Sequence, residues 1–328
     1  MSFKDTTHDV VAVGNALVDI LAQVPDSFLE AHGMEKGTMS LIDAECALQI
    51  QESLGETVQT SGGSAANTMS GVASLGGSAL FIGKVSNDAL GDEFAREISS
   101  IGVEFVRGAS VEGMPTGRCV IAVTPDAQRT LNTFLGVSSL LTPADINTAA
   151  IESGKVVYLE GYLYDQPAAK AAFREAANCA HGASRKVSLT LSDSFCVQRH
   201  REDFHALIAD EVDILFGNEA ELEALYETRD FDVAVSNLRQ HCEFAVITRS
   251  EKGSVVITHG EVLEVPAKRV AKVVDTTGAG DLFAAGFLFG FTRGMELSRC
   301  AEIGAIAAAE VISHMGPRPL TQLKNLIA

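Results

Sequence analysis

Short runs of β-branched and other apolar residues recur along the chain, and most are followed by a longer segment with helical periodicity. The short runs predict strands, because branched side chains fit a pleated, half-buried surface. Strands are expected at 9–14, 80–85, 156–160, 187–192, 214–216 and 245–248, and helices near 43–54, 69–76, 89–101, 167–180, 197–209, 219–227 and 297–313. Strands that alternate with helices predict an α/β fold with a parallel sheet covered on both faces.

A second set of short strands has few helices between its members. Segments 17–24, 38–42, 118–124 and 129–134 show partial alternation of apolar and polar residues, and the last two flank a turn at 125–128. Alternation with a period of two on either side of a turn is typical of a hairpin. These segments therefore predict a small β-sheet that is separate from the main one.

One glycine-containing turn joins a strand-like run at 270–274 to an apolar, helix-like run at 281–291. Gly278 and Gly280 let the backbone turn tightly and expose its N–H groups. Because the first N–H groups of a helix have no intrahelical partner and the macrodipole is positive there, the turn is suited to bind an anion. A carboxylate at this place, Asp281, is suited to act as a general base. The alternative is that Asp281 only caps the helix.

Two other nucleotide-binding loops are excluded by their spacing. A dinucleotide fingerprint needs a third glycine where the chain has Phe283. A Walker loop ending at Gly83-Lys84 has Ser78 in place of its first glycine and Val85 in place of its hydroxyl residue. Neither motif is present.

Composition narrows the class of protein. The 328 residues are 46% hydrophobic without a long apolar span, and the polar N-terminus lacks the core of a signal peptide. A net charge of −18 argues against nucleic acid or an anionic membrane as the main partner. The six cysteines include no Cys-x-x-Cys pair, which is typical of reduced thiols. We expect a cytoplasmic protein of one large unit, either a monomer or a homodimer.

A family resemblance gives the glycine turn a more specific functional interpretation. Residues 275–287 read Asp-Thr-Thr-Gly-Ala-Gly-Asp-Leu-Phe-Ala-Ala-Gly-Phe. This order resembles the C-terminal signature of the ribokinase-like (PfkB) carbohydrate kinases, which phosphorylate a hydroxymethyl group of a sugar or nucleoside from ATP. The resemblance implies that Asp281 is the catalytic base and that the N–H groups of Gly278, Ala279 and Gly280 form the anion hole. It also implies that Asp275 and Thr277 hold a monovalent cation such as K⁺.

The acceptor side of the site is implied by two further stretches. Residues 61–68, Ser-Gly-Gly-Ser-Ala-Ala-Asn-Thr, resemble the first signature of the family, so Gly62, Gly63 and Asn67 would bind the sugar. Close packing of helix on sheet is the alternative explanation of these small residues. Residues 14–20 are similar to the N-terminal segment of adenosine kinases, in which Asn15 and Asp19 would reach the nucleoside. A carboxylate that accepts two hydroxyl hydrogen bonds is chemically sound as a clamp for a vicinal diol.

The resemblance also assigns the nucleotide side. Asn218 and Glu221 form an Asn-x-x-Glu pattern that would lie near Mg²⁺ and the phosphates, partly through water, although the same pattern is a helix capping box. Thr248, Ser250 and Gly253 would line ATP. In addition, Arg129 would supply a cation near the transferring phosphate.

Together these features predict a ribokinase-like, doubly wound and mainly parallel sheet flanked by helices, with a small β-sheet lid. We expect the core at 1–14, 43–102 and 136–328, and the lid at 15–42 and 103–135. The favoured function is an ATP-dependent adenosine kinase acting on a small-molecule substrate. The alternatives are a fructokinase- or ribokinase-like sugar kinase and, less favoured, a non-catalytic nucleoside-binding protein. A nucleoside needs an apolar slot for its base, for which the candidates are Met39, Phe134, Tyr162 and Tyr164.

Overall fold

A computed structural model describes residues 5–126 and 128–328. Its strands are β1 (His8–Val13), β2 (Leu17–Gln23), β3 (Met39–Leu41), β4 (Val58–Gly62), β5 (Ala79–Gly83), β6 (Val103–Arg107), β7 (Gly117–Val123), β8 (Arg129–Phe134), β9 (Gly154–Glu160), β10 (Lys186–Thr190), β11 (Ile214–Asn218), β12 (Phe244–Thr248), β13 (Ser254–Thr258) and β14 (Val262–Val265). Its helices are α1 (Asp26–Ala31), α2 (Ala44–Ser53), α3 (Ser64–Ser74), α4 (Ala89–Ser100), α5 (Thr148–Ser153), α6 (Pro167–Gly182), α7 (Ser194–Arg199), α8 (Arg201–Asp210), α9 (Glu219–Leu225), α10 (Phe231–Leu238), α11 (Ala279–Phe291) and α12 (Leu297–Val311).

The large sheet has the order β14-β13-β12-β11-β10-β9-β1-β5-β6 within the described residues. Its strands run parallel except for the hairpin β12-β13-β14 at one edge. β1 lies between β9 and β5. The later strands β9 to β14 extend the sheet on one side of β1, and β5 and β6 extend it on the other, so the strand order reverses at β1. In such doubly wound sheets, ligands bind at the carboxyl ends of the strands where the order reverses. The mixed α/β fold with a large, mainly parallel sheet is confirmed.

Both faces of the large sheet are buried, which explains the continuous apolar runs of its strands. Along β1, Val11 and Val13 pack into a core cluster formed with α5 to α10. Val10 and Ala12 pack into the opposite cluster, formed with α3, α4, α11 and α12. The helix α11 is apolar around most of its circumference because it is buried between α3, α12 and the sheet.

The small sheet has the order β3-β8-β7-β2-β4 and supplies one wall of the cavity described below. Alternate residues of its strands point to that wall, among them Leu17, Asp19, Cys119 and Ile121. β2 pairs in parallel with β7 and antiparallel with β4. The predicted lid sheet is therefore present, although part of the predicted 125–128 turn, residue 127, lies outside the described residues.

Two predicted boundaries between core and lid are wrong. Residues 58–62, expected in the core, form the edge strand β4 of the small sheet. Its residues Val-Gln-Thr-Ser-Gly give no apolar pattern, and the first two are exposed, so the sequence does not reveal the strand. Residues 103–107, expected in the lid, form β6 and pair in parallel with β5 at the edge of the large sheet.

Other elements also differ from the predictions. The expected strand at 270–274 is a loop without a ladder partner, in which Val273 is 52% exposed and the Val274 N–H donates to Ile312 O. The helix expected at 197–209 is divided by His200 into α7 and α8. α1, α10, β13 and β14 were not predicted, because each is short or lies at the surface or a sheet edge. None of the helices in the described ranges combines the length and the hydropathy that a membrane crossing needs.

Candidate active site

A cavity of about 400 Å³ lies between the small sheet and the carboxyl ends of the large sheet's strands. Asn15 follows β1 and Glu160 ends β9, the two strands at which the sheet order reverses. Asp281, at the start of α11, lines the same cavity. Residues that are far apart in the sequence therefore converge at the place where doubly wound sheets bind their ligands.

The turn at residues 276–280, called here the anion loop, has the expected glycine conformation, but the predicted N–H of Ala279 is already bound within the turn. Gly278 is the N-cap of α11 and adopts a φ of 78°, a left-handed conformation that favours glycine. Its Cα also lies against Pro317, because a Cβ built there would be 2.9 Å from the proline. The Ala279 N–H donates to Thr276 O at 3.2 Å, whereas the N–H groups of Gly278, Gly280 and Asp281 have no acceptor in the described part of the chain. Three amides therefore remain available to an anion.

Asp281 is fixed by two residues from the start of α3. The Ser64 hydroxyl donates to Asp281 Oδ1 at 2.6 Å, and Asn67 Nδ2 donates to Oδ2 at 3.0 Å. Burial raises the pKa of Asp281 to about 6, against the hydrogen bonds from Ser64 and Asn67 and the charge of Arg318, which lower it. A carboxylate held in this way, with a pKa near neutrality, suits a general base.

Asn15 is oriented by its neighbours before any ligand binds. Its Nδ2 donates to Glu160 Oε1 at 2.7 Å, and its Oδ1 accepts from the Ser138 hydroxyl at 3.0 Å. Glu160 Oε2 also accepts the Ala65 N–H at 2.8 Å, so this carboxylate joins β1 to the start of α3. Burial raises the pKa of Glu160 to about 7.

Glu160 lines the cavity and was not found from the sequence. The available signal was an acid that directly ends a buried strand, in Val157-Tyr158-Leu159-Glu160. An acid at the carboxyl end of a parallel strand is placed at the edge of the sheet that binds ligands.

Asp19 faces the cavity from β2 and is 7% exposed. Among residues 5–126 and 128–328, no group donates a hydrogen bond to its carboxylate. A Cβ on Gly62 would be 2.3 Å from Asp19 Cγ, so only glycine allows this approach. Burial raises the pKa of Asp19 to about 7, while Arg318 and Arg129 lower it. Asp19 and Gly62, each predicted to bind the acceptor, therefore lie in contact, and the carboxylate oxygens are open to a ligand.

Asn218 and Glu221 form a complete capping box at the start of α9. The Glu221 N–H donates to Asn218 Oδ1 at 2.9 Å, and Asn218 donates from Nδ2 and N to the two Glu221 carboxylate oxygens at 2.5 and 3.1 Å. Both residues also line the cavity, and burial raises the pKa of Glu221 to about 7. In the described ranges, no three acidic, His or Cys side chains form a metal cage. A cation here would be held largely by water and by phosphate, which suits Mg²⁺.

Arg129 and Asp275 form a buried ion pair, which the sequence did not predict. Asp275 also accepts the Thr277 N–H at 3.0 Å and the Gly316 N–H at 2.8 Å. Thr277 lines the cavity, whereas Arg129 and Asp275 are not part of its wall. Because a guanidinium already neutralises Asp275, this arrangement does not fit a monovalent cation at that carboxylate.

The predicted ATP-lining residues are only partly brought together. Thr248 lines the cavity and its hydroxyl donates to Gly217 O at 3.4 Å. Ser250 and Gly253 lie in the turn between β12 and β13, outside the cavity wall. The φ of 95° at Gly253 and its contact with Val265 O explain a glycine there without a ligand.

The wall opposite the polar groups is largely apolar, although Cys119 and Thr133 of the small sheet also line it. Its apolar part consists of side chains from β2, β3, β7 and β8 of the small sheet, together with two aromatic residues from the large-sheet side: Leu17, Met39, Leu41, Ile121, Leu131, Tyr162 and Phe216. Of the four slot candidates, Met39 and Tyr162 are therefore in place. Phe134 is not in the wall, and Tyr164 is buried in the core, stacked on Phe204 at 4.9 Å.

These carboxyl groups predict a pH dependence. A base must be ionised to act, and the pKa of Asp281 is raised from an ordinary 3.8 to about 6. Activity should therefore be present above that pKa and be lost as the pH falls through it. Asp19, with a pKa raised to about 7, should add a second ionisation. We expect kcat/KM to fall between about pH 7 and pH 5 with a logarithmic slope above one.

The profile should be measured in buffers of constant ionic strength, with circular dichroism over the same range. Retained ellipticity would assign the decline to ionisation and not to unfolding. Full activity at pH 5 would contradict the assignment of Asp281 as the base.

The chain is similar to known proteins over almost its whole length. Residues 39–323 match the model of the pfkB family carbohydrate kinases. The structure is similar to that of an adenosine kinase from Sinorhizobium meliloti, with a TM-score of 0.92, 49% identity and 98% of each chain covered. It is also similar to a probable sugar kinase protein from Rhizobium etli CFN 42, with a TM-score of 0.92, 44% identity and 98% of each chain covered.

A more distant relative covers almost the same length. Adenosine kinase from Saccharomyces cerevisiae is 28% identical over 334 residues, which cover 95% of this chain and 96% of the yeast protein. The similarity therefore extends over both the large sheet and the small one.

Proposed function

The chain belongs to the pfkB family of carbohydrate kinases, and we propose that within this family it is an adenosine kinase, converting adenosine and ATP to AMP and ADP. Its activity as an ATP-dependent kinase of a sugar or nucleoside follows from the family and from its adenosine kinase relatives. The choice of adenosine rests on the shape and chemistry of the cavity.

The observation that carries this choice is an apolar wall opposite an unpartnered carboxylate. Asp19 offers oxygens to a vicinal diol, as the two ring hydroxyls of ribose would present. The wall that includes Met39, Ile121 and Leu131 is largely apolar, and the hydroxyl of Thr133, which also lines it, already donates to Cys119 Sγ at 3.2 Å. It suits the flat, apolar faces of a purine, and about 400 Å³ lies in the range of small-molecule sites.

The proposed mechanism uses groups already in place. Asp281 takes the proton from the primary hydroxyl of the acceptor, and the resulting oxygen attacks the γ-phosphorus in line with the leaving ADP. The free N–H groups of Gly278, Gly280 and Asp281 stabilise the charge on the equatorial oxygens. Mg²⁺ supplied with ATP would neutralise the β- and γ-phosphates, with Asn218 and Glu221 as its protein oxygen donors, largely through water.

Arg129 enters this mechanism as a cation close to the anion loop. Its guanidinium pairs with Asp275, and its Nε and Nη1 atoms are buried without a hydrogen-bond partner in the described residues. These unsatisfied donors favour a ligand oxygen nearby. Because Arg129 lies behind the cavity wall and pairs with Asp275, binding of the transferring phosphoryl group by Arg129, as the family resemblance implies, would require its side chain to turn toward the cavity.

The substrate proposal is tested by ADP release with Mg-ATP against adenosine, other nucleosides, ribose and fructose. Strong turnover on adenosine and none on the free sugars would support it. Turnover on ribose or fructose with adenosine inert would overturn the choice of acceptor and favour a sugar kinase, as the similarity to the Rhizobium etli protein suggests. Adenosine binding without turnover would indicate a nucleoside-binding protein.

A further inference from the structure

Residues 316–318, which follow α12, contact both halves of the active site. The Gly316 N–H donates to Asp275 Oδ2 at 2.8 Å, and Pro317 lies against Gly278 of the anion loop. The next residue, Arg318, extends in the other direction and reaches the start of α3. Three consecutive residues thus connect the phosphate side of the site to its acceptor side.

Arg318 binds the backbone of the segment that carries the diglycine. Its Nη1 donates to Ala66 O at 2.9 Å, and its Nη2 donates to Ser61 O at 2.5 Å and to Ser61 Oγ at 3.0 Å. No carboxylate of the described residues lies within ion-pair distance of Arg318. An arginine that donates hydrogen bonds to two backbone carbonyls fixes the position of that backbone segment, because the planar guanidinium group allows few alternative geometries.

Glu97 of α4 binds the same turn from its other side. Its Oε2 accepts the Ser61 N–H, and its Oε1 accepts the Thr60 hydroxyl at 3.0 Å. Ser61 therefore donates its N–H to the Glu97 carboxylate, and its C=O accepts a hydrogen bond from the Arg318 guanidinium. Residues 61–64, called here the acceptor turn, include Gly63, which adopts a φ of 101°. The turn ends at Ser64, which holds Asp281.

We propose that residues 316–318 form a strut that sets the spacing between the anion loop and the acceptor turn, and that Arg318 is the positioning residue at its end. Its partner in this role is Glu97. Arg318 touches neither Asp281 nor the cavity wall directly. Its contacts act through Ser61 and Ala66, whose neighbours Ser64 and Asn67 orient the base and line the acceptor pocket. Its charge also lowers the pKa of Asp281 and of Asp19, and Arg318→Lys, which keeps that charge, separates this effect from positioning.

The strut makes a specific kinetic prediction. Arg318→Met leaves Ser61 O without its charged donor, so the acceptor turn loses its fixed position relative to Asp281. A shift of this kind on the order of 1 Å can cost about 10²-fold in rate. We expect kcat/KM for the acceptor to fall by about 10²-fold, with a clear rise in its KM, while the KM for ATP stays within about twofold. Arg318→Lys, which keeps one charged donor, should recover part of the loss.

Matched variants separate positioning from general destabilisation. Arg299→Met removes another arginine that binds a backbone carbonyl, Ile327 O, but its donors reach only Ile327 and Glu302 and neither loop. Its kinetics should equal those of the wild type. A double-mutant cycle with Glu97→Gln should show that the Glu97 and Arg318 effects are not additive, because both residues hold Ser61.

These kinetic assays use adenosine as the acceptor, so the kinetic part of the test rests on the proposed function. Amide hydrogen exchange over residues 60–68 provides a second test, which does not depend on the identity of the acceptor. Faster exchange in Arg318→Met than in Arg299→Met, with equal exchange in the large sheet, would support the strut whatever the acceptor is. A wild type inactive on adenosine would overturn the substrate proposal alone. Wild-type acceptor kinetics or wild-type exchange over residues 60–68 in Arg318→Met would overturn the strut.

Discussion

Asp281→Asn is expected to lower kcat by about 10² to 10⁴-fold, with the fold and ATP affinity retained. The amide cannot take a proton from the acceptor hydroxyl, whereas the N–H groups of the anion loop are unaffected. The variant should also pack without a penalty, because Asn67 Oδ1 is buried without a partner. Rotation of the Asn67 amide would let that oxygen accept a hydrogen bond from the new side chain.

This variant should be compared with Asp210→Asn, which makes the same chemical change at the exposed end of α8. Single-turnover kinetics would measure the chemical step, and ATP binding would be measured by calorimetry. Equal loss of kcat and kcat/KM is expected for a group that acts only in the transition state. Turnover of Asp281→Asn at the rate of the control would remove Asp281 from the mechanism.

Asp19→Ala is expected to lower kcat/KM for adenosine by about 10² to 10³-fold, mostly through KM. Two hydroxyl hydrogen bonds to a carboxylate are lost, and each charged hydrogen bond contributes about 1.5 to 3 kcal/mol. The sharper measurement uses 2′-deoxyadenosine, which lacks one of the two hydroxyls. The wild type should prefer adenosine by roughly 10-fold or more, and Asp19→Ala should lose most of that preference.

Asp126→Asn is the matched control, since it removes a negative charge from the turn between β7 and β8 of the small sheet, at a site bound to Lys36. It should keep the wild-type preference between the two nucleosides. If Asp19→Ala keeps the full preference for adenosine over 2′-deoxyadenosine, another group must recognise the 2′-hydroxyl. The carboxylate would then have only an electrostatic role.

The apolar pattern was sufficient to predict the large sheet, because strands buried on both faces are continuous apolar runs. Val10 to Val13 illustrate this, since consecutive side chains enter two different core clusters. The strand β4 escaped prediction for the opposite reason. It is held by backbone pairing to β2 at an exposed edge, and its side chains Val58 and Gln59 are exposed.

The site residues divide in a similar way. Asp281, Asn67 and Asp19 belong to local motifs, so the family resemblance located them, and the structure brings them to one cavity. Glu160 and Arg318 belong to no local motif. Their importance depends on which distant backbone groups they reach, Ala65 for the first and Ser61 for the second.

Arg129 and Asp275 form a third group, residues that were identified from the sequence but assigned to other partners. Each residue was singled out from the sequence, but for a different partner, a phosphate for the arginine and a monovalent cation for the aspartate. A pair formed between two loops distant in the chain leaves no trace in local spacing. The structure shows that the two side chains bind each other.

The contact between Ser64 and Asp281 joins residues 217 positions apart. During synthesis the acceptor turn therefore leaves the ribosome long before the anion loop, and Arg318 follows later still. Chains are made and begin to fold from the N-terminus, and contacts of such long range form late. A nascent chain that ends before α11 contains the acceptor turn but neither Asp281 nor the anion loop. On the proposed mechanism, catalytic competence would therefore arise only when the last segment docks.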